Sequence, residues 1–171
     1  VAPLITEVVG LEAGAVGPLL FVYGVAGAAG LAVAGSRLAA DPVRAMVGAM
    51  ALGAVALIVL GLAPGVWPSL IALAVWGLAF GAIPPLLQTR LLQAAPATHR
   101  DAASALYTTA FNVGIGGGAL AGAVLYEWVG VQSLPFVYAA VLIALTVVLS
   151  RELRSGQSEA RAPHGFNGEV G

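Results

Sequence analysis

Asn112 follows Thr108 by four residues in an otherwise apolar stretch, a spacing that sets a carboxamide and a hydroxyl on one face of a helix. Polar atoms at membrane depth need a partner or water. Two readings of the pair stay open. It could bond a neighbouring helix, a contribution of about 0.6–2 kcal/mol in lipid, or it could line a cavity. Trp76, near the middle of another apolar stretch, is either packing or a cavity wall. Catalysis finds little to work with. No Asp, Glu, His, Lys or Arg lies deep in an apolar stretch, so there is no proton carrier and no general base at that depth. The chain has no Cys, which removes thiol chemistry, disulfides and thiolate metal sites. His99 and His164 fall in a connection and in the C-terminal tail, where they read as solvated rather than as metal ligands. No metal, no cofactor and no enzymatic activity are expected.

Other residues speak to packing and motion. Gly114, Gly118 and Gly122 form a ridge that starts roughly opposite Thr108 and Asn112. Such a ridge suits close helix packing, or a surface on which helices slide. Gly77 and Gly81 repeat the spacing once. Pro84 and Pro85 remove two backbone donors, so a kink or a gate hinge is expected there. Trp67 and Trp128, near stretch ends, suit interfacial anchors.

The elements that carry these residues follow from composition. Of 171 residues 60% are hydrophobic and 9% charged, against about 25% charged in an ordinary soluble domain. A helix crossing ~30 Å of hydrocarbon needs about 20 apolar residues. Five stretches qualify, at 16–35, 43–63, 67–88, 104–126 and 133–150. The fold class is therefore an all-α membrane protein, a bundle of five transmembrane helices over residues 16–150. Residues 1–15, with Glu7 and Glu12, read as the end of a truncated helix plus an outer loop, and 151–171 as a disordered cytoplasmic tail. The second and fifth spans are almost free of polar side chains and are expected to face lipid. All seven basic residues are Arg, and all fall on one side of the alternation: Arg37 and Arg44, Arg90 and Arg100, then Arg151, Arg154 and Arg161. Cytoplasmic loops hold such excess, so the C-terminus is expected inside. No polybasic stripe for nucleic acid is present.

Three stretches carry a resemblance to the C-terminal half of a major facilitator superfamily transporter, closest to bacterial drug and sugar exporters of the arabinose-efflux type. Residues 2–11 (Ala-Pro-Leu-Ile-Thr-Glu-Val-Val-Gly-Leu) resemble the end of the family's seventh helix and the loop after it. Residues 85–90 (Pro-Leu-Leu-Gln-Thr-Arg) resemble the end of helix ten, and residues 103–106 with 110–116 (Ala-Phe-Asn-Val-Gly-Ile-Gly) the start of helix eleven. Residues 35–44 resemble the cytoplasmic loop in which the family places Gly, an acid and basic residues, though a second Gly is missing and Asp41 lies one position late. The resemblance makes the five spans equivalent to helices eight to twelve of a twelve-helix fold. It implies the bacterial inner membrane and an N-terminal half as partner. It also implies export of a small organic solute, a drug or sugar, by rocking alternating access with proton antiport. Under it Asn112, Thr108 and Trp76 would border the substrate cavity, and Arg37, Asp41 and Arg44 would make cytoplasmic gating contacts. An importer of the same fold, or a membrane scaffold without transport, is the alternative.

Overall fold

In the computed structural model, residues 6–7, 10, 12–36, 40–62 and 65–161 are described. Five long helices dominate them: α1 (Val16–Ala34), α2 (Pro42–Leu62), α3 (Val66–Ala94), α4 (Arg100–Val129) and α5 (Leu134–Arg161). All five contain a segment long and apolar enough to cross a bilayer. Short 3₁₀ turns, Ala13–Ala15 and Ala97–His99, lead into α1 and α4. The reversal after α4 depends on Gly130, whose φ of 74° lies in the left-handed region and whose N–H caps the helix on the Tyr126 carbonyl.

The helix starts agree with the apolar stretches to within a few residues, but two ends do not. α3 continues beyond 88 to Ala94, straight through Pro84 and Pro85, so the pair does not break the helix. α5 continues beyond 150 to Arg161, which corrects the expectation of disorder from residue 151 onward. A formed helix extends without a new nucleation step, and the residues after 150 include helix formers such as Arg, Glu, Leu and Gln. Residues 162–171, and the proposed helix end at residues 1–5, lie outside the described residues.

Packing follows the order α1, α3, α2, α5, each helix lying against the next, with α4 touching α3 and α5 lightly. The core joins Met46, Leu57 and Leu60 of α2 with Leu73, Trp76 and Leu86 of α3 and Leu142 of α5. The second span is therefore not mainly a lipid-facing helix. Eight of its residues are buried, including Met46, Met50, Gly53 and Leu57, between α3 and α5. An apolar surface suits a protein neighbour and a lipid neighbour equally, and that is why lack of polarity misplaced it. α4 is the opposite case, with no buried residue along its length.

Candidate functional site

The polar residues of α4 form a ladder of bonds to their own helix. The Thr108 hydroxyl donates to the Ser104 carbonyl at 3.0 Å, the Thr109 hydroxyl to Ala105 at 3.0 Å, and Asn112 Nδ2 to the Thr108 carbonyl at 2.7 Å. Back-bonding of this kind supplies both hydroxyls and one of the two Asn112 N–H groups with an acceptor inside the span. Asn112 is exposed, and its bond runs to α4 itself instead of to a neighbouring helix. Because Nδ2 donates to a carbonyl, Oδ1 is left as an acceptor for something outside the helix. Thr108 and Asn112 do share one exposed stripe.

Trp76 does not join that stripe. It is 9% exposed and sits between Tyr23 of α1, with ring centroids 5.2 Å apart, and Tyr138 of α5, at 6.1 Å, both edge-to-face. Its environment in this chain is an aromatic cluster drawn from three helices.

Asp41 heads α2. Its Oδ1 accepts the backbone N–H groups of Val43 at 3.2 Å and Arg44 at 3.1 Å, an N-cap, while Oδ2 meets Arg44 Nε at 3.2 Å. Pro42 fills the first helical position, where a missing N–H costs nothing. Both charged side chains are well exposed, so the ion pair itself contributes at most about 1 kcal/mol. Arg37 lies outside the described residues.

The glycines divide in a way their spacing does not predict. A side chain on Gly77 would meet the Tyr23 carbonyl oxygen at 2.6 Å, and one on Gly81 would press on the Gly27 backbone. Across the crossing, Gly30 of α1 lies equally close to the Leu78 backbone. Gly77 and Gly81 are thus where α3 meets α1 backbone to backbone. A side chain on Gly114, Gly118 or Gly122 would meet nothing within 4 Å, so no helix among the described residues packs on that ridge.

One residue escaped the sequence reading. Tyr107, immediately before Thr108, donates its hydroxyl to the Pro84 carbonyl of α3 at 2.8 Å and stacks on Phe111 with centroids 5.8 Å apart. The signal was there: a phenol inside a span needs an acceptor. At the other end of α4 the Tyr126 hydroxyl approaches Glu7 Oε1 at 3.4 Å.

Five long apolar helices packed in this order define a multi-pass helical membrane protein. Residues 1–167 match the Major Facilitator Superfamily, and the chain belongs to that family, whose members are transporters and not enzymes. A probable sugar efflux transporter of Mannheimia succiniciproducens is 29% identical over 149 residues, covering 86% of this chain and 37% of the relative. A probable sugar efflux transporter of Helicobacter pylori strain P12 is 34% identical over 129 residues, 74% of this chain and 33% of the relative. The chain thus spans about a third of the length of the curated relatives it matches. No solved structure gives a significant match.

Proposed function

We propose that this chain is the C-terminal part of a secondary active transporter that exports a small organic solute, with helices α1 to α5 standing as helices eight to twelve. The observation that carries the reading is α4: a membrane helix that presents Thr108 and Asn112 on one open stripe and buries nothing in this chain. Such a stripe is suited to an aqueous cavity between two halves, where uncharged donors and acceptors can meet a polyhydroxylated or amide-bearing solute. The names of the relatives favour a sugar among such solutes. Asp41 and Arg44 at the head of α2, with Arg37 before them, are assigned to closure of the cytoplasmic mouth. The one-sided distribution of Arg supports a cytoplasmic C-terminus, and the bacterial origin of the relatives supports a bacterial inner membrane. Proton antiport is part of the proposal, and its carrier belongs to the N-terminal half, because no ionisable group lies deep in these spans.

The test is counterflow of labelled sugars in vesicles carrying the intact reading frame, with Asn112→Ala as the variant. Export that falls at least about tenfold with unchanged membrane abundance, the loss of a site-defining hydrogen bond, is expected. Equal loss of abundance would make Asn112 a folding residue. Net uptake down an imposed gradient coupling would identify an importer of the same fold. No counterflow of any solute would leave a scaffold as the better reading.

A further inference from the structure

α4 is held only lightly among the described residues: it touches α3 and α5, its Tyr107 hydroxyl bonds to α3 near its start, and its Tyr126 hydroxyl makes the longer, 3.4 Å approach to Glu7 near its end. α1 and α3 touch backbone to backbone at Gly27, Gly30, Gly77 and Gly81, and such contact leaves no slack for relative motion. α2 is enclosed by α3 and α5. α4 has neither kind of anchor. It buries no residue, and its glycine face meets nothing within 4 Å. Among the described residues, the hydrogen bond from Tyr107 to the Pro84 carbonyl is the side-chain bond that joins α3 and α4, and it is partly buried.

The location of that bond has consequences. Tyr107 lies seven residues into α4, near the expected cytoplasmic end, and is followed directly by Thr108 and, a turn later, by Asn112. Its partner is a main-chain oxygen on a helix already fixed against α1 and α2. Stacking on Phe111 sets the ring's direction along α4. Motion of α4 relative to α3 must therefore keep this contact as a pivot or break it.

We infer that the Tyr107 hydroxyl is a latch, a positioning device that ties α4 to the fixed α1–α3 pair at Pro84 and sets where the Thr108–Asn112 stripe is presented. The inference rests on the reading of that stripe as cavity wall, but the latch is measured without transport. When latched, the base of α4 is fixed by a 2.8 Å bond while its outer end has only the exposed 3.4 Å approach of Tyr126 to Glu7, so the outer portion has the greater freedom to tilt. When released, the stripe moves as a whole.

The experiment uses the intact reading frame with cysteines placed for spin labels, to which these 171 residues add no native cysteine and from which any other is first replaced by Ser. One pair, Gln93 and Ala102, reports the cytoplasmic ends of α3 and α4; a second, Ile71 and Ala123, reports the outer ends. All four positions are exposed. In the parent protein the cytoplasmic pair should give the narrower distance distribution. Tyr107→Phe keeps the ring and its stacking and removes only the donor. It should lower the ratio of latched to unlatched conformers at the cytoplasmic pair by roughly 3- to 10-fold, the worth of one such bond in a membrane. Thermal stability and abundance should hold. An unchanged cytoplasmic distribution in Tyr107→Phe overturns the latch, as does loss of abundance, which would make the bond structural. Should the variant be unobtainable, equal widths for the two pairs in the parent protein overturn it as well. Failure of the transport reading would show separately, as absent counterflow with the distance shifts intact.

Discussion

Gly81 lacks a side chain because α1 leaves no room for one. A methyl group there would press on the Gly27 backbone, and neither partner is the movable end of a flexible side chain. Gly81→Ala is therefore expected to cost about 1–3 kcal/mol, the usual range for forced overpacking. Gly48 of α2 provides the comparison, because a Cβ there meets nothing within 4 Å. Gly48→Ala should be neutral or slightly stabilising, since Ala is the better helix former by up to about 1 kcal/mol. Thermal unfolding of the two variants of the intact protein in detergent checks this. Similar midpoints for both would mean that α1 and α3 are not in rigid contact, and would remove the fixed frame on which the latch depends. Spacing alone could not rank these glycines. Gly114, Gly118 and Gly122 form the longer repeat, yet in this chain only the shorter pair has a helix against it. A small-residue ridge states that a close approach is possible, and only the partner's backbone makes it real.

At the scale of elements, Asp41 serves two purposes that can be separated. As an N-cap it satisfies orphan N–H groups of α2, work that Asn performs about as well, whereas Ala forfeits about 1 kcal/mol. As a closure contact it would act through charge, which Asn lacks. Asp41→Asn should keep the thermal midpoint and lose transport, and Asp41→Ala should lose some of both. Normal counterflow with Asp41→Asn would confine Asp41 to the cap. The elements themselves were largely legible. Five apolar stretches bounded by Arg, Pro and Gly correspond to five helices, because the cost of exposing backbone to lipid forces each stretch to be helical. What hydropathy reports is the apolar portion, so it could not show α3 reaching Ala94 or α5 reaching Arg161, where the sequence turns polar. Nor could it rank burial. α2, with scarcely a polar atom, lies in the core, and α4, with the polar stripe, lies outside it. The stripe's residue types were readable from Thr108 and Asn112. That Tyr107 needs an acceptor was readable too, but which acceptor was not, since its partner is a main-chain oxygen that only the fold brings near.

For the whole molecule, the question is what covers α4. Exposed Leu106, Val113 and Leu120 require nothing, because lipid solvates them as well as protein would. Thr108, Thr109 and Asn112 are different. The two hydroxyl donors and one Asn112 N–H are bonded to their own helix, but the second Asn112 N–H and Oδ1 have only hydrocarbon to face if α4 stays bare. The glycine ridge, which starts on roughly the opposite side of the same helix, allows a second backbone to come close, so α4 invites neighbours on both sides. In the proposed transporter the N-terminal half and the aqueous cavity share that role. The 171-residue chain expressed alone should therefore self-associate in mild detergent, or unfold at a lower temperature than the intact protein. Light scattering across a concentration series measures the first outcome, and Asn112→Leu, which removes the polar demand while keeping side-chain bulk, should weaken the association. A monodisperse monomer as heat-stable as the intact protein would show that α4 is content in lipid. The stripe would then have no claim to be a cavity wall, and the transport reading would have to rest on kinship alone.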